Sequence, residues 1–105
     1  MINIINCTPH PINIVSHGEI KPSGIIPRVS TTEVEAGNIE GIPCVTQSRG
    51  VVTGMPEPEK DTIFIVSGFV FNATDRKDVV APDTGKTAIR NEKGHIIAVT
   101  RFIVK

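Results

Sequence analysis

A chain of 105 residues, 39% hydrophobic and 21% charged, has the composition of one globular domain with a modest core rather than that of a disordered segment. Eleven Lys and Arg balance eleven Asp and Glu, and four Phe are the only aromatic residues. Without a cationic excess for phosphates or a set of stacking platforms, DNA or RNA is not expected as the main partner, and no apolar run approaches the roughly 18 residues of a membrane span.

The start, MINIINCTPH, lacks the cationic residues and long apolar stretch of a signal peptide, so the expected location is the cytoplasm. Cys7 and Cys44 are then expected to stay reduced, meeting if at all as two small buried residues.

In chain order, short β-branched runs dominate. INIIN (2–6) and INIV (12–15) read as strands on either side of CTPHP. SHGE (16–19) is a turn in which Gly18 takes positive φ. IKPSG (20–24) leads through a second turn into IIPRVSTTEVE (25–35), a half-exposed strand with Pro27 at its start or on an edge. AGNIEG (36–41) interrupts the pattern, IPCVTQS (42–48) restores it, and RGVVTGMPEPEKD (49–61) is a Pro-rich polar connection.

TIFIVSG (62–68) is the most apolar run and the expected central strand. The next stretch, residues 68–75, admits two readings. One is a short helix N-capped by Ser67 with Phe69, Val70 and Ala73 facing the core; the other is a continued strand, because Val, Phe and Thr favour extended backbone. The helix is preferred. VVAPDTGK (79–86) is a strand stub and turn, and TAIRNEKGHIIAVTRFIVK (87–105) a hairpin with NEKG at its tip and Gly94 at positive φ. The sum is a single domain, 1–105, mainly β with α+β character: a compact sheet or small barrel of about seven short strands with at most one short helix.

Several motifs lack their structural context. DTG (83–85) is the aspartic-protease triplet, but only 20 residues follow Gly85, too few for the flap and sheet that such a fold needs. GKT (85–87) resembles the end of a phosphate-binding loop, yet the position that requires glycine is Val80 and no helix follows. Cys7 and His10 have a spacing that suits two ligands of an open metal site; a core thiol and a turn histidine is the plainer reading, and neither metal nor cofactor is expected. No G-x-S-x-G surrounds Ser23 or Ser67, so no catalytic nucleophile is assigned.

Anion recognition remains. Ser67-Gly68 would stand at the mouth of the helix, with Arg76 near its end, Arg28 among β-branched residues, and Arg90 and Arg101 in the last hairpin. An arginine fork suits phosphate or carboxylate, although each of these is also explained as a solvated residue or as the partner of Asp75, Asp78, Asp83 or Glu92. His10 lies between Pro9 and Pro11, which stiffen the backbone and remove two N–H groups. That arrangement serves either a corner between strands or an imidazole held in fixed geometry for a ligand.

Taken together, NCTPHPINI, PSGIIPRVS, GMPEPEKDTIFIVSGFV, RKDVVAPDTGKTAIR and GHIIAVTRF resemble a family of small proteins encoded by phages and bacterial genomes, for which no enzymatic activity is assigned. The family-like positions are Thr8, Pro9, His10, Ser23, Arg28, Ser67, Arg76, Asp78, Pro82, Thr84 and Arg90. The chain departs from the family where GFVFNATD stands in place of an alanine-rich helix.

A phage setting implies one class in particular, small oligomeric anti-defence proteins that sequester nucleotide-derived immune signals. Thr8, His10, Arg28, Ser67, Arg76, Asp78, Thr84 and Arg90 would then line the ligand site. The leading expectation is a non-enzymatic, homo-oligomeric protein that binds a small anionic nucleotide-like ligand, with no membrane involvement. Two alternatives are a protein-interaction module acting through an edge strand, and an enzyme on a nucleotide or phosphorylated metabolite with His10 as acid/base and Asp78 or Asp83 assisting.

Overall fold

The structure, a computed structural model, describes residues 2–105, with Arg49 described by its backbone alone. Along the chain the described elements are β1 (Asn3–Asn6), β2 (Ile12–Ile14), β3 (Gly18–Ile20), β4 (Arg28–Ile39), β5 (Ile42–Thr53), β6 (Thr62–Ile65), α1 (Gly68–Ala73), β7 (Val79–Pro82), β8 (Ile89–Arg90), β9 (Ile96–Ala98) and β10 (Phe102–Ile103). The protein is mainly β with one short helix among the described residues, as its β-branched runs imply.

A central sheet runs in the order β1-β6-β7-β10. The first three strands are parallel and β10 is antiparallel to β7. The run TIFIVSG does supply the middle of this sheet: Phe64, Ile65 and Val66 are all but inaccessible to solvent. Alternation sends Phe64 and Val66 to one face, where they pack with Cys7, Val79 and Ala81 of the neighbouring strands and with Val70 and Phe71 of α1. Ile65 and Val80 point to the other face. There, Val15 N–H donates to Val99 O (3.0 Å) and Val99 N–H to Asn13 O (2.8 Å), tying the β2–β3 pair to the β8–β9 pair as a second layer whose buried residues include Ile14 and Val99.

Asn6 joins the two layers. Its side chain, 1% exposed, faces away from Cys7 and has every polar position occupied. Nδ2 donates to His10 O (2.8 Å) and Ile20 O (3.0 Å), while Oδ1 accepts from Thr8 N–H (2.9 Å) and Thr8 Oγ1 (2.7 Å). The Asn6 carbonyl accepts from both Ser23 N–H (2.9 Å) and Ser23 Oγ (2.7 Å). The Pro-bracketed segment is thus a corner between strands, folded around a buried carboxamide.

α1 settles the two readings of residues 68–73 in favour of a helix. Ser67 is its N-cap, accepting from Val70 N–H at 3.4 Å. Val70 and Phe71 are the buried pair, however, and Phe69, expected inward, is 64% exposed. Six residues make fewer than two turns, so the inward stripe is narrower than three positions.

The larger departure lies between residues 28 and 53. Instead of two strands, a break and a polar connection, the chain forms one hairpin of two 12-residue strands. Glu40 (φ 52°) and Gly41 (φ 79°) make the two-residue turn with positive φ at both positions. Gly37 (φ 80°) absorbs a bulge, so AGNI continues the strand although its composition is that of a break. Nearly all residues of this hairpin are exposed. With it the radius of gyration is 16.5 Å, against about 13 Å for a compact chain of 100 residues. The last hairpin has Gly94 at φ 81° as expected, but it ends at β9; β10 crosses to the edge of the central sheet.

Replacing Asn6 by Ala strands two carbonyls and the Thr8 donors, and is expected to lower stability by about 3 kcal/mol or more in urea unfolding. Asn6→Asp retains the shape but turns a carboxylate oxygen toward the His10 and Ile20 carbonyls, and should be at least as damaging at pH 7.

Candidate functional site

The eight candidate positions fall in four places. Thr8 and His10 belong to the corner after β1. Thr8 is buried, with its hydroxyl shared between Asn6 Oδ1 (2.7 Å) and His10 O (2.9 Å), and His10 contributes its carbonyl to the corner while its residue is exposed. Arg28 and Ser67 come together in a groove. Arg76 and Asp78 pair with each other just before β7. Thr84 and Arg90 meet beyond its other end.

The Arg76–Asp78 pair is a brace. Arg76 Nε donates to Asp78 Oδ1 (2.9 Å) and Nη2 to Oδ2 (2.6 Å), a two-pronged contact that holds the guanidinium plane fixed. Nη1 then reaches Pro56 O at 2.7 Å, and the guanidinium carbon stands 5.7 Å from the centre of the Phe64 ring. The Pro-Glu-Pro turn after the long hairpin is thereby tied to the core. The neighbouring guanidinium holds the Asp78 carboxyl below the usual carboxylate range.

Arg90 braces the hairpin tip, donating through Nη1 to Gly94 O (2.8 Å) and through Nη2 to Thr84 O (3.3 Å). Asp83 accepts from Gly85 N–H (2.9 Å) and pairs with Arg101 Nε (2.6 Å), so DTG forms a side-chain-closed turn. The same arginine holds the Asp83 carboxyl low.

The cysteines do not meet. Cys7 lies in the core and Cys44 is half-buried on the long hairpin, both as free thiols. Burial pushes the Cys7 thiol up, which keeps it protonated at neutral pH and disfavours nucleophilic chemistry. Among the described residues no three His, Cys, Asp or Glu side chains converge as a metal site would require.

The groove lies where the root of the long hairpin crosses α1. It holds about 400 Å³ and is lined by Arg28, Thr31 and Gln47 of the hairpin and by Ser67, Phe69 and Val70 of the helix. A second hollow of about 460 Å³, lined by Gln47, Gly50, Asn72 and Ala73, continues it along the helix with Gln47 shared. Val29, Thr31 and Glu33 alternate onto the hairpin face turned to the helix, and Glu33 Oε1 accepts from Gln47 Nε2 at 3.0 Å. The groove therefore has a cation at its root, neutral polar groups along its floor and a carboxylate farther out. Ser67 spends its hydroxyl on the helix cap.

Sequence reasoning found Arg28 and Ser67 but missed Thr31, Gln47 and Asn72. Odd-numbered alternation from Val29 points to Thr31, and cross-strand pairing to Gln47, once residues 28–53 are known to be one hairpin.

Asp78 is bound more tightly as an anion in the folded chain than in the unfolded one. Its contribution is full above the unfolded value near pH ~4 and is lost as pH falls through the lower folded value. Asp78→Asn should cost about 1–2 kcal/mol at pH 7 and flatten that part of the acid limb in urea titrations, leaving the part due to Asp83. With the geometry described, comparison with known proteins adds no relative: no protein family, curated protein or solved structure matches the chain.

Proposed function

We propose that the protein is a non-enzymatic binding protein that holds a small anionic, nucleotide-like ligand in the groove between α1 and the long hairpin. The observation that carries this reading is the state of the arginines. Arg76 and Arg101 are paired with carboxylates, and Arg90 is spent on backbone carbonyls. Arg28, at the groove, has no carboxylate partner among the described residues.

An unpaired guanidinium beside a half-polar cleft suits a phosphate or carboxylate group. The volume lies within the range of small-molecule sites. Gln47 and Glu33, farther along, supply acceptors for amino groups such as those on a base edge. A phage counter-defence role in the host cytoplasm, with an immune signal as the ligand, is supported by the resemblance carried by NCTPHPINI and the other family-like segments.

A second reading, a protein-interaction module, is favoured by the exposed hairpin. The enzyme reading has less support: Asp78 and Asp83 are each committed to an arginine, and the His10 carbonyl, rather than its ring, makes the contacts at the corner.

The test is mass spectrometry of small molecules released by heating the purified protein after incubation with extract from cells whose nucleotide-based defences are active. An intact nucleotide-derived species in near-stoichiometric yield is expected. Arg28→Ala should weaken its retention by about tenfold or more, whereas Arg90→Ala should not. An empty release with no loss of any species from the extract overturns the reading, and a chemically altered species would favour the enzyme.

A further inference from the structure

Of the two walls of the groove, α1 has the weaker local support. The opposite wall is the root of the two-stranded ribbon formed by the long hairpin, which packs on the core through Val29 and Val52. α1 has six residues, fewer than a helix needs to hold itself in water. It begins with a glycine, its last turn carries no basic side chain, and Thr74 ends it in extended geometry (φ −126°) rather than in a left-handed cap. Val70 and Phe71 are its buried side chains. On either side the chain is fixed, by Val66 within the central sheet and by the Arg76–Asp78 brace.

A residue 34 positions away supplies what the helix lacks. Lys105 Nζ donates to Phe71 O at 2.5 Å and stands 4.1 Å from the centre of the Phe71 ring. One cation thus satisfies a carbonyl that the last turn leaves without a helical partner, and faces the ring that anchors the helix in the core. Its place follows from the sheet. Ile103 is paired with Ala81, whose side chain lies on the α1 face, so alternation sends Ile103 and then Lys105 to that face. Arg101 fixes the start of β10, donating through Nε to Asp83 Oδ2 (2.6 Å) and accepting at its carbonyl from Asp83 N–H (3.1 Å).

We propose that Lys105 is the clasp of a hinged wall. With it in place α1 is held against the central sheet; without it α1 opens as a unit about Gly68 and Thr74 while the sheet stays folded. A Cβ added at Gly68 would meet nothing within 4 Å, so the hinge has room to turn. Val70 lines the groove on one side and fills the core on the other, so movement of α1 alters the separation of Ser67 and Phe69 from Arg28. A short segment with two buried side chains, set between strands, has the character of a unit that opens at less cost than the whole fold. Lys105 is therefore a positioning residue for the groove, and the clasp stands whether or not the groove takes a ligand of the proposed class.

Amide hydrogen exchange on the full chain, read by NMR, tests it. The reporters are Val70 and Phe71, whose N–H groups donate to Ser67 Oγ (3.4 Å) and Ser67 O (2.9 Å). The internal reference is Phe64 and Val66, whose N–H groups donate to Asp78 O and Val80 O at 2.9 Å each. Lys105→Met keeps the apolar stem and removes the cation. It should speed exchange at Val70 and Phe71 by about tenfold and leave Phe64 and Val66 at the wild-type rate. A variant that exchanges like the wild type at Val70 and Phe71 overturns the proposal, as does a wild type in which those two amides are already unprotected. Equal acceleration at all four amides also overturns it, because Lys105 would then contribute to the stability of the whole fold and not to the closure of one wall.

Discussion

The structure depends on one buried carboxamide. Asn6 ends β1; its side chain fixes the corner at Thr8–His10 to the β3 strand, and its backbone carbonyl holds the Ser23 turn. A carboxamide has two donors and an acceptor with two lone pairs, and here each finds a partner. In a site that excludes water such a set is cooperative: any member lost leaves its partners unsatisfied. The corner, which uses the backbone carbonyl of His10, accounts for the prolines on either side of it. Pro9 and Pro11 have no amide proton to satisfy, and the restricted backbone they impose suits a corner whose His10 carbonyl accepts from the Asn6 amide.

Much of the fold was legible where burial leaves its periodic mark. TIFIVSG is apolar on both faces because both faces of the central sheet are covered, and Ser67 and Gly94 announce a cap and a turn by chemistry that is local. The long hairpin was illegible for the opposite reason. Its residues are exposed on both faces, so no alternation marks them, and AGNIEG has the composition of a loop. Only tertiary geometry shows that a glycine bulge and a Glu-Gly turn carry the ladder through it.

The candidate site divides in the same way. Arg76 and Asp78, two residues apart, form a pair that spacing alone suggests, yet the contact that gives the pair its purpose, with Pro56 O, spans 20 residues and has no local signature. Arginines that look alike in sequence differ by what lies opposite them. Of the four whose side chains are described, three are consumed in holding turns and one, Arg28, lies at a cleft whose far wall comes from a hairpin that composition conceals. The cleft and the ribbon share β4 and β5, so whatever stiffens the ribbon also fixes the spacing between Arg28 and Gln47.

The parallel pairing of β1 with β6 also determines the order of assembly. Asn3 is aligned with Thr62 and Asn6 with Ile65, so the first strand has no partner until more than half of the chain has left the ribosome. The long hairpin lies wholly within that interval, and its ladder pairs residues of that stretch alone. The ribbon, marginal by itself, therefore gains its anchorage at Val29 and Val52 only when β6 and α1 follow, with the apolar β1 waiting for the same event. β10 then closes the free edge of β7 and completes the sheet.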